Sequence, residues 1–395
     1  MILKDITAKA AFTGFLTTFV GFAASFAVVM QGLYAVGATD AQVISGLMML
    51  CLFKGICEIY LSLKLKMPIT IAWSTPGAAL LASTGVIAGG FPAAVGAFAI
   101  TAGLIILAGL WKPLERLVAG IPLSLANAML AGVLLPLCLA PFTAITDFPL
   151  YGLLILFAWL IIGQLSKLWA VPAALAVFAV ILFWGIGVTD AQWQSVGDAA
   201  FILPEFVRPV WNWQATVGIA LPLFVVTMAS QNITGYGVLR AYGYAPKAGE
   251  LFWVTGLGSL LAAPFGGHGI NLAAITAAMC ASDEAGPDPA KRYWASVLSG
   301  VFYLMLATVV GAAIAFVALA PVALIKAVAG LALIGAFVGA LKGAVDDAGE
   351  REAAGLTFLI TASGISLLGV SAPFWGLIAG IVMLAGLKWR KKPGS

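Results

Sequence analysis

The sequence predicts an all-α polytopic membrane protein of fourteen membrane segments, built as two inverted repeats of seven. Its composition indicates a bilayer protein: 62% of the residues are hydrophobic and 9% are charged, whereas soluble domains carry roughly 25% charged residues. The mean hydropathy is +1.08. Long stretches also lack any Asp, Glu, Lys or Arg, namely 68–111, 117–146, 209–239, 293–325 and 353–387. Because one spanning helix needs about 20 apolar residues, several of these stretches hold two spans.

Glycines, prolines and charges divide the chain into the individual segments. We expect them at 11–36, 41–63, 67–88, 92–111, 118–140, 148–166, 169–188, 215–238, 249–263, 264–281, 293–318, 321–341, 353–369 and 372–388. The first segment is too long for the core of a signal peptide, and no small-residue cleavage site follows it, so we expect no cleavable signal.

The basic residues predict that both termini lie in the cytoplasm. With this orientation, all of the 20 lysines and arginines except Arg208, Lys326 and Lys54 fall in cytoplasmic loops or tails, as the positive-inside rule requires. The longest polar insert, 189–214, then lies outside and separates seven spans from seven. An odd number of spans in each half gives the halves opposite orientations, as in the inverted repeats of secondary transporters.

The third segment, "MPITIAWSTPGAALLASTG" (67–85), predicts a break near the middle of the bilayer. Its β-branched start favours extended backbone. Ser74 or Thr75 could then cap a helix that has Pro76 in its first turn, which is a typical helix start. Extended backbone at this depth is tolerated only where protein or a wet cavity surrounds it.

The tenth segment, in "LAAPFGGHGINLAAITAA" (261–278), repeats this plan. We expect the chain to break at "APFGG" and to restart as a half-helix at His268. Two half-helices of opposite direction would point their N-termini at one central place. Each N-terminus carries roughly half a positive charge, so the sequence predicts an anion site there.

These two breaks supply most of the candidate site residues. Backbone amides near Thr75–Gly77 and Gly269–Ile270 would hold the anion, and the rings of Trp73 and Phe265 would flank it. The full predicted substrate-binding set is Trp73, Ser74, Thr75, Pro76, Gly77, Ser230, Gln231, Phe265, Gly267, His268, Gly269, Ile270 and Asn271. His268 is the only histidine, and an imidazole can exchange a proton at physiological pH. Its alternative role is that of a neutral packing residue.

Polar side chains inside other spans have two interpretations each. Gln231 and its neighbours Ser230 and Asn232 either bind a ligand or tie helices together, and Gln31 in the first span is a weaker case. Lys54 and Glu58 share a helix face. They could be a proton relay, but we interpret them as a structural ion pair towards the cytoplasmic end of the second span.

Other classes of site have little support in the sequence. The four cysteines fall in apolar segments without metal-ligand spacing, so we expect packing roles for Cys51, Cys57, Cys138 and Cys280. We find no paired core carboxylates and no nucleotide loop beside a strand, and no basic stripe suited to nucleic acid. We therefore expect neither an enzyme nor a bound metal or cofactor.

Three motifs resemble the signatures of the benzoate:proton symporter (BenE) family: "ITIAWSTPGAALL", "LPLFVVTMASQNITGYGVLRAYGY" and "APFGGHGINLAAITAA". The resemblance covers nearly the whole chain. More distantly, the chain is similar to the uracil and nucleobase transporters and the sulfate and bicarbonate carriers, which share a seven-plus-seven inverted-repeat fold. This fold implies a homodimer, substrate held between the third and tenth segments, and short antiparallel strands at the breaks.

The resemblance also implies two domains. The core domain would comprise 1–116 and 215–318, the gate domain would comprise 117–188 and 319–395, and 189–214 would connect the halves outside the membrane. In uracil-type relatives, acidic residues on the eighth and tenth segments bind substrate and couple protons. Here those positions fall on Ser230 or Gln231 and on His268, and the absence of carboxylates suits an anionic substrate.

The sequence thus predicts a secondary transporter of the bacterial inner membrane that moves benzoate or a similar aromatic carboxylate together with protons, by alternating access. His268 is the predicted proton carrier. Two alternatives stay open, namely a transporter of another anion or a nucleobase and an uncoupled anion channel.

Overall fold

The computed structural model of the chain describes residues 6–113, 122–187, 189–199, 202–273 and 275–390. In this part of the chain, ten helices are long and apolar enough to cross a membrane. The protein is therefore a mostly helical polytopic membrane protein. Both predicted cytoplasmic ends, at 1–5 and 391–395, and the predicted domain boundary at 116/117 lie outside the described residues.

The helices and strands follow the apolar segments of the sequence. The first half contains α1 (Ala8–Ala23), α2 (Phe26–Ala35), α3 (Asp40–Leu65), β1 (Ile71–Trp73), α4 (Thr75–Thr84), α5 (Gly90–Leu110), α6 (Leu123–Asp147), α7 (Pro149–Leu165) and α8 (Ala170–Gly187). The polar helix α9 (Asp190–Ala199) follows. The second half contains α10 (Trp213–Ala241), α11 (Ala248–Phe265), β2 (Ile270–Leu272), α12 (Ile275–Ala281), α13 (Tyr293–Ala318), α14 (Val322–Val345), α15 (Arg351–Ala362), β3 (Ser366–Leu367), β4 (Val370–Ser371) and α16 (Ala372–Arg390).

The start of α4 is capped by Ser74, one of the two predicted candidates. The Ser74 hydroxyl oxygen accepts a hydrogen bond from the Gly77 N–H at 3.1 Å, and Pro76 occupies the first turn. A Cβ atom at Gly77 would crowd Leu223 and would lie 2.6 Å from the capping Ser74 hydroxyl oxygen. The cap and the glycine together fix where the helix begins.

The strands β1 and β2 form an antiparallel ladder that joins the two halves of the chain. Ile71 is opposite Leu272, and Trp73 is opposite Ile270. The prediction that a half-helix restarts at His268 is wrong, because the chain after His268 is extended and α12 begins only at Ile275. Pairing with β1 satisfies backbone groups that would otherwise be orphaned at this depth.

Two sets of helices pack around this ladder. In one set α13 packs along α3 and α1, and α11 packs against α5 and α3. Backbones approach closely there, since a Cβ at Gly55 of α3 would lie 2.7 Å from the carbonyl oxygen of Gly300 on α13. In the other set α14 packs along α6, and α6 also contacts α15. Small residues at helix contacts are typical of membrane proteins.

Candidate functional site

A cavity of about 150 Å³ lies beside β1 and the first turn of α4. Its walls come from both sets of helices. The lining residues are Val20, Gly21, Ala24, Ser25, Lys54, Ala72, Trp73, Thr75, Pro76, Leu134, Gln231, Ala273, Thr276, Ala332, Leu333 and Ala336. The wall is mainly apolar, with a few polar groups that could orient a ligand, which is the usual composition of a small-molecule site.

Trp73 supplies the aromatic wall of this cavity. Its side chain is 2% exposed, and its indole Nε1–H donates to the Ser25 hydroxyl at 2.8 Å. Ser25 in turn donates to the Gly21 carbonyl at 2.8 Å, and the Phe22 ring contacts the indole edge-on at 5.9 Å between centroids. The indole is therefore held in one orientation by Phe22 of α1 and by Ser25, which lies between α1 and α2, and its remaining surface can face a ligand.

Lys54 supplies the positive charge of the cavity wall. Its side chain is 4% exposed, and its ammonium lies 3.2 Å from the centre of the Tyr303 ring and 5.1 Å from that of Trp73. A cation over aromatic faces gains electrostatic stabilisation. The predicted ion pair with Glu58 is wrong, since no ion pair joins them in the described part of the chain.

Three neighbouring polar residues on α10 have three different roles. They belong to a π-helical turn, Met228–Asn232, a feature frequent at functional sites. Gln231 lines the cavity and accepts a long hydrogen bond, 3.5 Å, from the Asn271 amide. Asn232 accepts a hydrogen bond from the Leu272 N–H at 2.9 Å, so it ties α10 to β2. Ser230 donates to the Val226 carbonyl at 2.6 Å.

His268 does not line the cavity. Its ring is 1% exposed and lies 6.4 Å from the Phe98 ring, between centroids. The Nε2 atom is 2.8 Å from the Ser74 carbonyl oxygen, on the far side of the residue that caps α4. The extended backbone of β2 separates His268 from α12, which is why the predicted position at a helix start is wrong.

Other predicted site residues form hydrogen bonds or packing contacts inside the protein. The Ile270 N–H donates to the Ser259 hydroxyl at 2.8 Å, and the Gly269 carbonyl accepts from the Ser74 N–H at 3.1 Å. The Phe265 ring stacks edge-on against Phe206, 5.9 Å between centroids. Gly267 and Asn271 are buried and do not line the cavity. Of the amides expected around Thr75–Gly77, the one at Gly77 is used by the cap and Pro76 has no N–H.

The structure thus brings four of the predicted residues together at the cavity, and sequence reasoning missed others. Trp73, Thr75, Pro76 and Gln231 line it. Sequence reasoning assigns Lys54 a structural role, although a signal is available: it is a cation well inside a predicted span, 41–63, and intramembrane charges are usually functional. Ser25 and Thr276 carried no such signal, because hydroxyl residues are common in membrane helices.

A second cavity, of about 680 Å³, lies between α2 and the helices α6 and α14. Its polar lining residues are Gln31, Tyr34, Asp40 and Lys326. The Tyr34 hydroxyl donates to Asp40 at 2.9 Å, whereas the Gln31 amide nitrogen has no hydrogen-bond partner among the described residues.

Comparison with known proteins finds relatives that cover nearly the whole chain. Residues 4–385 match the family described as benzoate membrane transport protein, BenE. The chain is 40% identical over 384 residues to the inner membrane protein YdcO of Escherichia coli K12, covering 96% of each chain. It is 32% identical over 389 residues to a benzoate membrane transport protein of Acinetobacter baylyi, covering 96% of this chain and 95% of that one.

Solved structures of low sequence identity share the fold of this chain. The overall structure of SLC26A9 superposes with a TM-score of 0.66 at 13% identity, covering 97% of this chain and 66% of that one. The transmembrane domain of the cyanobacterial bicarbonate transporter BicA gives a TM-score of 0.58 at 17% identity, covering 95% and 97%. These identities show a shared fold. On the family match and the identity to its relatives, the chain belongs to the benzoate membrane transport protein (BenE) family, and it is a multi-pass transporter of the inner membrane, not an enzyme.

Proposed function

We propose that this protein is a secondary active transporter that moves benzoate, or a similar aromatic carboxylate, together with protons by alternating access. The observation that carries the proposal is the pairing of one cation with one aromatic wall in the cavity. Lys54 offers an ammonium to a carboxylate, and Trp73 offers a flat apolar face to a ring. Protein cavities of about 150 Å³ can accommodate a benzene-sized ring.

The neighbouring groups suit the same ligand. The N-terminus of α4 begins beside the cavity at Thr75, so the helix dipole favours negative charge there. The Gln231 amide accepts from Asn271 through its oxygen, which leaves its NH₂ group as a donor for a carboxylate. A buried carboxylate in the lining would repel such a ligand, and the lining contains no Asp or Glu.

The proposal includes the inverted seven-plus-seven repeat of fourteen segments, broken at the third and the tenth. The α1–α5 and α10–α13 elements would form the core, and the α6–α8 and α14–α16 elements would form the gate. The position of the cavity supports this division, since Leu134 of α6 and Leu333 of α14 line it together with Trp73 and Lys54. Alternating access then requires the core to move against the gate.

Cytoplasmic termini and a homodimer are parts of the same proposal. The charge distribution supports the orientation, and the resemblance of the fold supports the dimer.

Uptake of labelled benzoate into proteoliposomes tests the proposed function. An inward proton gradient is expected to drive saturable accumulation that a protonophore abolishes. Saturable uptake without any dependence on the gradient would retain the anion site and reject coupling. Uptake that does not saturate would indicate a channel, and no benzoate uptake, with transport of another anion, would reject the substrate.

A further inference from the structure

The second charged residue on α3, Glu58, is unused by the proposed substrate site. Its side chain is fully buried, and neither carboxylate oxygen has a hydrogen-bond partner among the described residues. It lies one helical turn from Lys54, yet the two form no ion pair in that part of the chain. A buried carboxylate without an ion-pair partner is costly, so its presence calls for a functional reason.

The surroundings of Glu58 are polar, but among the described residues that face it only Lys54 is a Lys, Arg, Asp or Glu. Ser299 and the Ile71 backbone face its carboxyl group. The remaining titratable groups facing Lys54 or Glu58 are Cys51 and Cys57 on α3, Cys280 on α12 and Tyr303 on α13. Other charged groups on or beside α3 lie at its ends. Glu250 on α11 forms an ion pair with Lys64 at 2.6 Å near the C-terminus of α3, and the Tyr34 hydroxyl on α2 donates to Asp40 at its N-terminus.

The two charges balance each other only while the cavity holds no anion. In that state one ammonium and one carboxylate give a net charge of zero in the buried cluster. A carboxylate ligand beside Lys54 adds one negative charge, and the cluster then carries an uncompensated charge away from water. Protonation of Glu58 restores the net charge to zero. A low-dielectric interior strongly favours such neutrality.

We infer that Glu58 takes up the transported proton and that Lys54 couples this uptake to the binding of the substrate carboxylate. The inference rests on the proposed function. On the outer side, the proton moves from water through the cavity to the Glu58 carboxylate, and it leaves to the cytoplasm after the substrate dissociates from Lys54. One proton accompanies each monovalent carboxylate, so the cycle moves no net charge. By linkage, falling pH tightens substrate binding, since the loaded state holds one more proton.

The decisive variant is Glu58→Gln, which keeps the shape of the side chain and mimics its protonated form. In proteoliposomes of the full chain, proton-driven benzoate accumulation should fall by at least about tenfold, because the empty variant would have to reorient with the uncompensated charge of Lys54. Exchange of benzoate across the membrane should persist, and benzoate binding should lose its pH dependence. Glu250→Gln, which removes the ion-pair partner of Lys64 at the end of α3, is the matched control and should retain coupling.

A second measurement does not depend on how the variant folds. Benzoate transport by the wild-type protein should produce no current under a membrane potential without a pH gradient. Such a current, or proton-driven accumulation by Glu58→Gln at the wild-type level, would overturn the inference while leaving benzoate transport established. Absence of any benzoate transport by the wild-type protein would instead reject the proposed function.

Discussion

The Nε2 atom of His268 lies 2.8 Å from the carbonyl oxygen of Ser74, the residue whose side chain caps α4. Because a carbonyl oxygen only accepts hydrogen bonds, Nε2 carries the proton. The same carbonyl also accepts from the Ala78 N–H at 2.8 Å. The single histidine therefore joins the two halves of the chain just behind the cavity wall, where it supports the geometry of the site without contacting its contents.

Replacing this histidine should affect stability and leave coupling in place. We expect His268→Ala to lower the free energy of unfolding by about 2 kcal/mol, because a buried hydrogen bond and ring packing are lost. Thermal denaturation in detergent measures this loss. His268→Gln retains a donor and should lose less. If benzoate exchange survives in His268→Ala while proton-driven accumulation disappears, His268 is the proton carrier.

The neighbours Gln231 and Asn232 should separate binding from stability. Gln231→Ala removes a cavity donor, so the dissociation constant for benzoate should rise about five- to tenfold with little change in melting temperature. Asn232→Ala leaves the Leu272 N–H without its acceptor and should lower stability by about 1–3 kcal/mol. Asn232→Asp keeps that acceptor and is the matched control. Equal effects of the two alanine variants on affinity would contradict the assignment.

The sequence predicts the apolar helices well, because their lengths and charges are local properties. The same holds for the start of α4, where Ser74 and Pro76 form a cap that depends on neighbouring residues only. The strand β2 could not be recognised in this way. "GINLA" gains its extended form from pairing with β1, a contact between residues about 200 positions apart in the chain, and tertiary pairing overrides local propensity.

The site residues, too, could be predicted from the sequence only where local features mark them. Trp73 and Gln231 stand out as polar or aromatic residues at a break or within a span, and the structure brings both to the cavity. The partner of Lys54 could not be inferred, since helix spacing alone favoured Glu58. The aromatic faces of Tyr303 and Trp73 come from α13 and β1, and no local pattern in the sequence brings them next to α3.

Loss of the cavity cation should weaken anion binding strongly. In Lys54→Met the stem is kept and the charge is removed, so the dissociation constant for benzoate should rise by about 30-fold or more, as for truncation of one member of a buried charge pair. Equilibrium binding in detergent measures it. Lys64→Met, on the same helix with 46% of its side chain exposed, is the control and should bind normally. The wild-type protein should bind benzoate more tightly than its neutral analogue benzamide, and this preference should disappear in Lys54→Met. An unchanged preference for the carboxylate would show that Lys54 is not part of the site.

The exposed side chain of Lys326 lines the second cavity, and it tests the proposed orientation. If that cavity opens to the outside, Lys326 attracts anions towards it by electrostatic steering. In whole cells, Lys326→Gln should then reduce initial benzoate uptake about two- to threefold at low substrate concentration and low ionic strength, and the effect should fade with added salt. The maximal rate should not change.

Lys342 is the matched control for this experiment, since it lies near the other end of α14 and is also exposed. The rise of an α-helix separates the two lysines by about 24 Å, so they face opposite sides of the membrane. In the proposed orientation Lys342→Gln leaves uptake from outside at the wild-type rate, because its charge faces the cytoplasm. Slower uptake in Lys342→Gln, with normal uptake in Lys326→Gln, would reverse the orientation.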